Sequence, residues 1–436
     1  MNTSVEIAAP TVTNTWSLGD ADRKYGTWLA IAYLFFYYVR PQEHIPGLNA
    51  LPISGALIWV FTIWGILHIR GKILKTPIYF IVLLALAYLF SAFGAVNVGA
   101  HRYTLKAFTQ VLPQCIALYI LFDSLPRATL LLKLWCVIYF LMSLITIKDG
   151  GTGPGDFSWD NNDAALALGM GLPIVFYSAF LPDISKRTKL LILLAAVVVI
   201  AGVIVTRSRG GFLGLVGSLL IIWWFSRRRI KIALYAIVFS VALSGILISV
   251  LPEGYLDEMQ SINNAEDDTR VERLRLWETA WEMYKDNPVF GVGVYNQKYN
   301  MNKYQVYTSW YTGFEINYQG KVVHSLYFQV LSETGTFGAI IYLFIMIVLP
   351  LKLYGLQRRK KKEDVNDSHV QLMSRALIAS MGVFVVSGAF ISVAYYPHIY
   401  IWVTMYAIVK RFDDNEKPQK KLKPTRVFEN DFQSET

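Results

Sequence analysis

His324 stands at the end of a long polar stretch, beside the hydroxyl of Ser325 and directly ahead of an apolar run, in "VVHSLYFQVLSETGTFG" at 322–338. A neutral imidazole placed there can take a proton from an attacking hydroxyl. Arginines nearby would lower its pKa and keep it neutral near pH 7. Arginines of that kind stand in two other stretches. "TRVERLRLWETAWEMYKDNPVFGVGVYNQ" (269–297) holds Arg270, Arg273 and Arg275, and "VIVTRSRGGFLGL" (203–215) holds Arg207 and Arg209. A planar guanidinium offers paired donors to phosphate oxygens. Gly210 and Gly211 read as an open backbone that a ligand can approach, at a helix start whose free N–H groups favour an anion. "DFSWDNNDAALALGM" (156–170) sets Asn161, Asn162 and Asp163 before another apolar run. Those three read first as a helix cap, and otherwise as hydrogen-bond partners for a sugar.

Each group also has a plainer reading. The 269–297 helix can lie at the bilayer interface with its arginines on lipid phosphates. Arg207 and Arg209 can simply snorkel from a helix end. A lone histidine at a helix start is often a capping or interfacial residue. No carboxylate spacing and no His/Cys cluster compels a metal, so neither metal nor cofactor is expected. The two cysteines, Cys115 and Cys136, lie in apolar runs and suggest ordinary packing.

What decides among these readings is whether the groups share one compartment. The 436 residues are 54% hydrophobic, with a mean hydropathy of +0.38. Soluble domains do not read this way. Apolar runs fall at 27–39, 51–69, 77–96, 107–122, 128–147, 164–181, 189–206, 211–225, 231–251, 326–351, 373–394 and 397–409. These predict an all-α integral membrane protein of about twelve transmembrane helices, because a helix satisfies its own backbone in lipid. The alternation of a membrane β-barrel is absent. Residues 1–26 lack the features of a cleaved signal peptide and read as a cytoplasmic segment.

Lysine and arginine concentrate in alternate connections: Arg23 and Lys24; Arg70, Lys72 and Lys75; Lys186, Arg187 and Lys189; 227–231; "QRRKKKED" at 357–364; and the tail 410–436. By the positive-inside rule these are cytoplasmic, with both termini inside. Nine spans then occupy 27–251 and three occupy 326–409. The intervening 252–325 becomes one large outer loop, and long loops usually carry function. His324 and the arginines of 203–215 and 269–297 all fall on this outer side. Membrane orientation also accounts for the formal charge of +10, which removes the argument for a nucleic-acid partner. Within the loop, Val271, Leu274, Trp277, Trp281 and Tyr284 recur at three- and four-residue spacing. That predicts an amphipathic helix ended by Pro288.

Taken together, these residues resemble a known group. His324, Ser325, Gly335 and Gly338 match the O-antigen ligase signature: His, then Asn/Ser/Gln, nine residues, Gly, two residues, then Gly, Thr or Tyr. "RLRLWETAWEMYKDNPVFGVG" (273–293) is similar to the loop helix and turn of that superfamily. "TRSRGG" (206–211) looks like its membrane-edge arginine motif, and "NNDAAL" (161–166) like its Asn-containing segment. "YYVRPQEHIPGL" (37–48) further resembles a branch of O-glycosylation ligases. The resemblance covers roughly residues 100–400. It implies a GT-C-like glycosyltransferase of the bacterial inner membrane that works on the periplasmic side. Such enzymes move a polysaccharide from undecaprenyl pyrophosphate to lipid A–core, without nucleotide or metal. His324 would be the general base and Arg273 its catalytic companion, with Arg207, Arg209 and Arg270 on the pyrophosphate. Arg273 is preferred over Arg275 because the family's loop helix has Arg four residues before Trp, as Arg273 and Trp277 stand here. A polysaccharide polymerase and a protein O-oligosaccharyltransferase share this chemistry. A solute transporter is the reading from a different class; its usual mid-membrane charges and inverted repeats are not evident.

Overall fold

A computed structural model describes residues 19–69, 76–155, 157–182, 184–226, 229–231, 268–313, 316–360 and 369–416. Among these the chain is all-helical, without a strand. Every apolar run named above is a helix except 231–251, nearly all of which lies outside the described residues. In order these are α1 (Asp20–Tyr38), a single turn α2 (Pro41–His44), α3 (Ile53–Leu67), α4 (Tyr79–Phe90), α5 (Val98–Leu121) and α6 (Leu125–Lys148). Then come α7 (Asn161–Ser178), α8 (Lys186–Val205) and α9 (Arg209–Phe225). Two loop helices follow, α10 (Asp268–Asp286) and α11 (Gln297–Gln305). The last group is α12 (Leu326–Leu343), which runs through one wide turn into α13 (Leu349–Lys360), then α14 (His369–Gly388) and α15 (Pro397–Glu416). Among the described residues five stretches are long and apolar enough to cross a membrane: Val98–Leu121, Leu125–Lys148, Lys186–Val205, Leu326–Gln357 and His369–Gly388. The chain is an all-α membrane protein.

Several helices outrun their apolar stretches. α5 begins at Val98 rather than near residue 107, because Asn97 caps it by accepting from the Ala100 N–H at 2.9 Å. The connection expected at 97–106 is therefore mostly helix. α1 reaches back to Asp20 and α15 runs on to Glu416. Hydropathy locates the apolar part of a helix, whereas caps and breakers decide its ends.

α14 is the central element. It packs along both α7 and α9, while α7 also contacts α6 and α8. α3 lies against α1 and α5, and α15 against α5 and α14. Some polar groups inside this bundle pair with one another, as lipid favours. The hydroxyl of Tyr88 lies 2.8 Å from that of Tyr342 and 2.9 Å from that of Tyr400, all grouped at the Ala394 carbonyl.

The loop has its own interior. Leu276, Ala280, Met283, Val292, Met301, Tyr304, Tyr318 and Val323 form a cluster separate from the bundle core. The spacing argument found α10 and its end near Pro288, but not its buried face. Leu274 is 51% exposed and Trp281 44%, whereas Leu276, Ala280 and Met283 are fully covered. The covering surface comes from residues 292–323, which fold back over α10, and from α12 beneath it.

Candidate active site

The three separated motifs meet around one end of α14. Ser387 donates to the Gly210 carbonyl at 3.1 Å, and the Phe390 side chain packs on Gly210. On the other side the Tyr327 hydroxyl donates to the Val385 carbonyl at 2.6 Å, and Leu326 packs on Gly388. Residues 385–390 thus hold the start of α9, with Arg207 and Arg209, beside the start of α12, with His324. α7 closes the group. Asn162 Oδ1 accepts from the Ser208 hydroxyl at 2.7 Å, and Ser208 Oγ in turn caps α9 by accepting from the Gly211 N–H at 3.0 Å.

The loop joins the same place from above. Trp277 Nε1 donates to the Val323 carbonyl at 3.0 Å, and its ring stacks on Phe328 at 5.4 Å. The helix that bears Arg273 is thereby fastened on both sides of His324. Burial, and next the Arg273 guanidinium, hold the His324 pKa below the ordinary histidine value, with Lys321 acting in the same direction. Asp160 and Glu272 pull it upward. The imidazole is therefore kept neutral, and burial contributes more than the arginine that the sequence suggested. Among the described residues four non-glycine positions have a left-handed backbone, and His324 (φ 49°) and Arg207 (φ 55°) are two of them; Tyr295 and Arg40 are the others. Such conformations store on the order of 1–3 kcal/mol each and persist only where the surroundings over-determine them.

The signature glycines have a mechanical role. At Gly335 (φ 61°, ψ −163°) the backbone leaves the helical path inside α12. The break frees backbone groups that pair with the turn after Pro288. Val292 N donates to Ser332 O at 2.8 Å, Gly293 N to Glu333 O at 3.1 Å, Thr336 N to Pro288 O at 2.8 Å and Phe337 N to Val289 O at 3.2 Å. A Cβ on Gly335 would stand 2.5 Å from the Val289 carbonyl carbon and 2.7 Å from the Phe290 nitrogen. Only glycine fits that approach. Gly338 is needed for another reason, because a Cβ there would lie 2.5 Å from Cβ of Thr334, one turn back.

Residues 194–343 match the family model described as O-antigen ligase. Over this stretch the chain is similar to the O-antigen ligases. The matched stretch runs from within α8 to the end of α12, so it contains Arg207, Arg209, Arg270, Arg273, His324 and both signature glycines. No curated protein matches the chain.

The remaining candidates sort by what they touch. Arg270 is exposed on the first turn of α10, and Arg273 is half-buried one turn further on. The Arg275 guanidinium lies over the Trp310 ring, 5.3 Å from its centroid. Ser325 is buried at the head of α12, where its carbonyl accepts the Gln329 N–H at 2.9 Å. Asp160 is the residue that caps α7, accepting the Asn162 N–H at 2.8 Å, so the cap lies one residue before the trio read as one. Asn161 and Asn162 follow within the first turn, and Asp163 is buried and accepts from the Tyr396 hydroxyl at 2.8 Å. Gly210 and Gly211 correct the expectation of an open backbone. Both are buried, with the Ala165 methyl where a Gly211 Cβ would go and Phe390 Cβ 2.9 Å from where a Gly210 Cβ would go. Their smallness serves helix packing. The "YYVRPQEH" motif braces the connection that leads to α7. Arg40 pairs with Glu43 at 2.7 Å, and the other Glu43 oxygen accepts the Gly155 N–H at 3.1 Å.

Sequence reasoning passed over Glu333, Tyr395 and Tyr396. Glu333 is buried inside α12, where one oxygen accepts the Gln297 N–H at 3.0 Å and the other the Tyr395 hydroxyl at 2.5 Å. The available signal was a carboxylate inside an apolar segment, which is a functional flag in membrane proteins.

Proposed function

We propose that the chain transfers a polysaccharide from undecaprenyl pyrophosphate to a sugar hydroxyl of lipid A–core, on the periplasmic face of the bacterial inner membrane. His324 accepts the proton of the attacking hydroxyl. The new bond forms from that oxygen to the anomeric carbon, and the bond from that carbon to the phosphate oxygen breaks. The electron pair leaves with the diphosphate, and one direct displacement inverts the anomeric configuration. Arg207, Arg209, Arg270 and Arg273 meet the growing negative charge of that leaving group. Fixed guanidinium groups stabilise it more than bulk water does, because they need no reorganisation as the bond breaks.

One observation carries the reading: the bond from Trp277 to the carbonyl of Val323, which joins the Arg273 helix to the peptide that presents His324. It supports placing the proposed base beside the helix that carries Arg273, a cation suited to a diphosphate. The match to the O-antigen ligases supports the same class of lipid-linked glycan substrate. Polymerisation and transfer to protein differ only in the acceptor. The test is reconstitution of purified protein in vesicles with a lipid-linked glycan, offered with lipid A–core, with a protein acceptor, or with neither. Glycosylated lipid A–core is the expected product. Glycan on the protein acceptor alone, longer lipid-linked chains alone, or no transfer in any arm overturns the assignment.

A further inference from the structure

Two consecutive tyrosines in the connection between α14 and α15 each donate to a buried carboxylate on a different helix. Tyr395 binds Glu333 of α12 at 2.5 Å, and Tyr396 binds Asp163 of α7 at 2.8 Å. The residue before them takes part as well, since the Ala394 N–H donates to Gln329 Oε1 of α12 at 3.1 Å. Glu333 and Gln329 belong to the helix that His324 precedes. Asp163 adjoins Asn162, whose side chain accepts from Ser208, the residue between Arg207 and Arg209. From the base to the arginines the path is therefore His324, α12, Glu333, Tyr395, Tyr396, Asp163, Asn162, Ser208. Every link beyond the covalent ones is a hydrogen bond of 2.8 Å or less.

We propose that the Tyr395–Tyr396 pair is a positioning element for glycosyl transfer, setting the spacing between His324 and the Arg207–Arg209 turn. The inference rests on the function proposed above and assigns Asp163 a part in it. The Asp163 carboxylate holds Tyr396 and does not bind the sugar. The two residues are suited to this. A phenol is rigid and reaches across a helix interface, and a hydrogen bond to a carboxylate is among the stronger ones. The site needs such a device because its members come from three chain segments, and a displacement of about 1 Å can lower a rate roughly 100-fold.

The experiment uses the full chain in the reconstituted transfer assay, with kcat and the KM for the donor measured separately. Tyr396→Phe keeps the ring and removes the donor. It is expected to lower kcat about 10- to 100-fold while changing KM less than about threefold. Tyr395→Phe should act in the same direction. Asp163→Ala should match Tyr396→Phe, and the double variant should be no worse than either single change, because both break one bond. Asp163→Asn keeps an oxygen that Tyr396 can reach, so it should recover most of what Asp163→Ala loses. Size-exclusion behaviour and thermal unfolding in detergent identify any variant that merely misfolds, and the Asn rescue reports on the bond itself. Transfer at the parent rate by Tyr396→Phe overturns the inference and leaves the proposed function standing. So does an Asp163→Asn variant as inactive as Asp163→Ala, which would put that carboxylate on the substrate. Failure of the parent protein to transfer with any acceptor sinks both.

Discussion

Gly335→Ala offers the sharpest test of the backbone ladder between α12 and the turn after Pro288. The native φ and ψ of Gly335 lie in a region open essentially to glycine, so an alanine held there is strained by about 1–3 kcal/mol. Its methyl would also meet the Val289 carbonyl and the Phe290 nitrogen, backbone atoms that no rotamer change can move. Overpacking of that kind adds about 1–3 kcal/mol. If the turn withdraws instead, the Val292, Gly293, Thr336 and Phe337 hydrogen bonds are lost, each a net contribution of about 0.5–1.5 kcal/mol. Either route gives roughly 2–6 kcal/mol. Gly338→Ala meets only the Thr334 side chain and gains helix propensity, so its loss should be about 0–2 kcal/mol. The assay is chemical unfolding of the detergent-solubilised protein, run beside glycan transfer. Gly335→Ala should lose both stability and transfer, and by more than Gly338→Ala. Lost transfer with an unshifted unfolding midpoint would mean that Gly335 faces the substrate, and the ladder argument would be wrong.

Three further outcomes are expected. Arg207→Lys should lose far more transfer than Arg187→Lys at the opposite end of α8, since lysine keeps the charge without the paired-donor geometry; equal losses would count against a diphosphate clamp. Transfer should fall on acidification with a midpoint below the usual histidine value of about 6.5, because the proposed base, His324, must be neutral to accept a proton and its pKa is lowered by burial and by Arg273 and Lys321 against Asp160 and Glu272. Removing a positive neighbour lets that pKa rise, so Arg273→Gln should move the acid limb to higher pH; an unmoved limb in the residual activity would separate Arg273 from His324. Trp277→Phe keeps the stack on Phe328 but drops the bond to Val323, so stability should fall by about 0.5–1.5 kcal/mol and kcat with it, and an unchanged kcat would argue that the bond does not hold the base in place.

The helices were legible because lipid leaves a chain few options: an apolar run must pair its own backbone. Their ends were less so, as Asn97 and α5 illustrate, since a single polar side chain can extend a helix well beyond its apolar part. The amphipathic helix before Pro288 could be read from spacing, yet its buried face could not. Leu276 and Ala280 are covered by Val292, Met301 and Tyr318, which approach only after the loop folds back. Pattern matching singled out His324, Gly335 and Gly338, while the reason for Gly335 lay in a pairing with residues 288–293, more than forty positions earlier. Gly210 and Gly211 misled for the opposite reason: small residues suit close ligand approach and close helix packing alike, and only neighbours such as Ala165 and Phe390 separate the two. Tyr395 and Tyr396 passed unnoticed because tyrosines near a membrane surface are common. Their hydroxyl partners lie on helices that the sequence does not link to them.

The private interior of the loop has a practical consequence. The described residues of 268–323 enclose their own apolar cluster and meet the bundle along defined seams: the ladder at Gly335, the Trp277 stack on Phe328, the Glu333–Gln297 contact, and the bonds from Asn296 and Val294 to Asn97 and Ser91. A segment built this way behaves as a cassette. It can be exchanged between relatives whole, provided those seams are carried along, and the graft would bring Arg270 and Arg273 while His324, Arg207 and Arg209 stayed with the host.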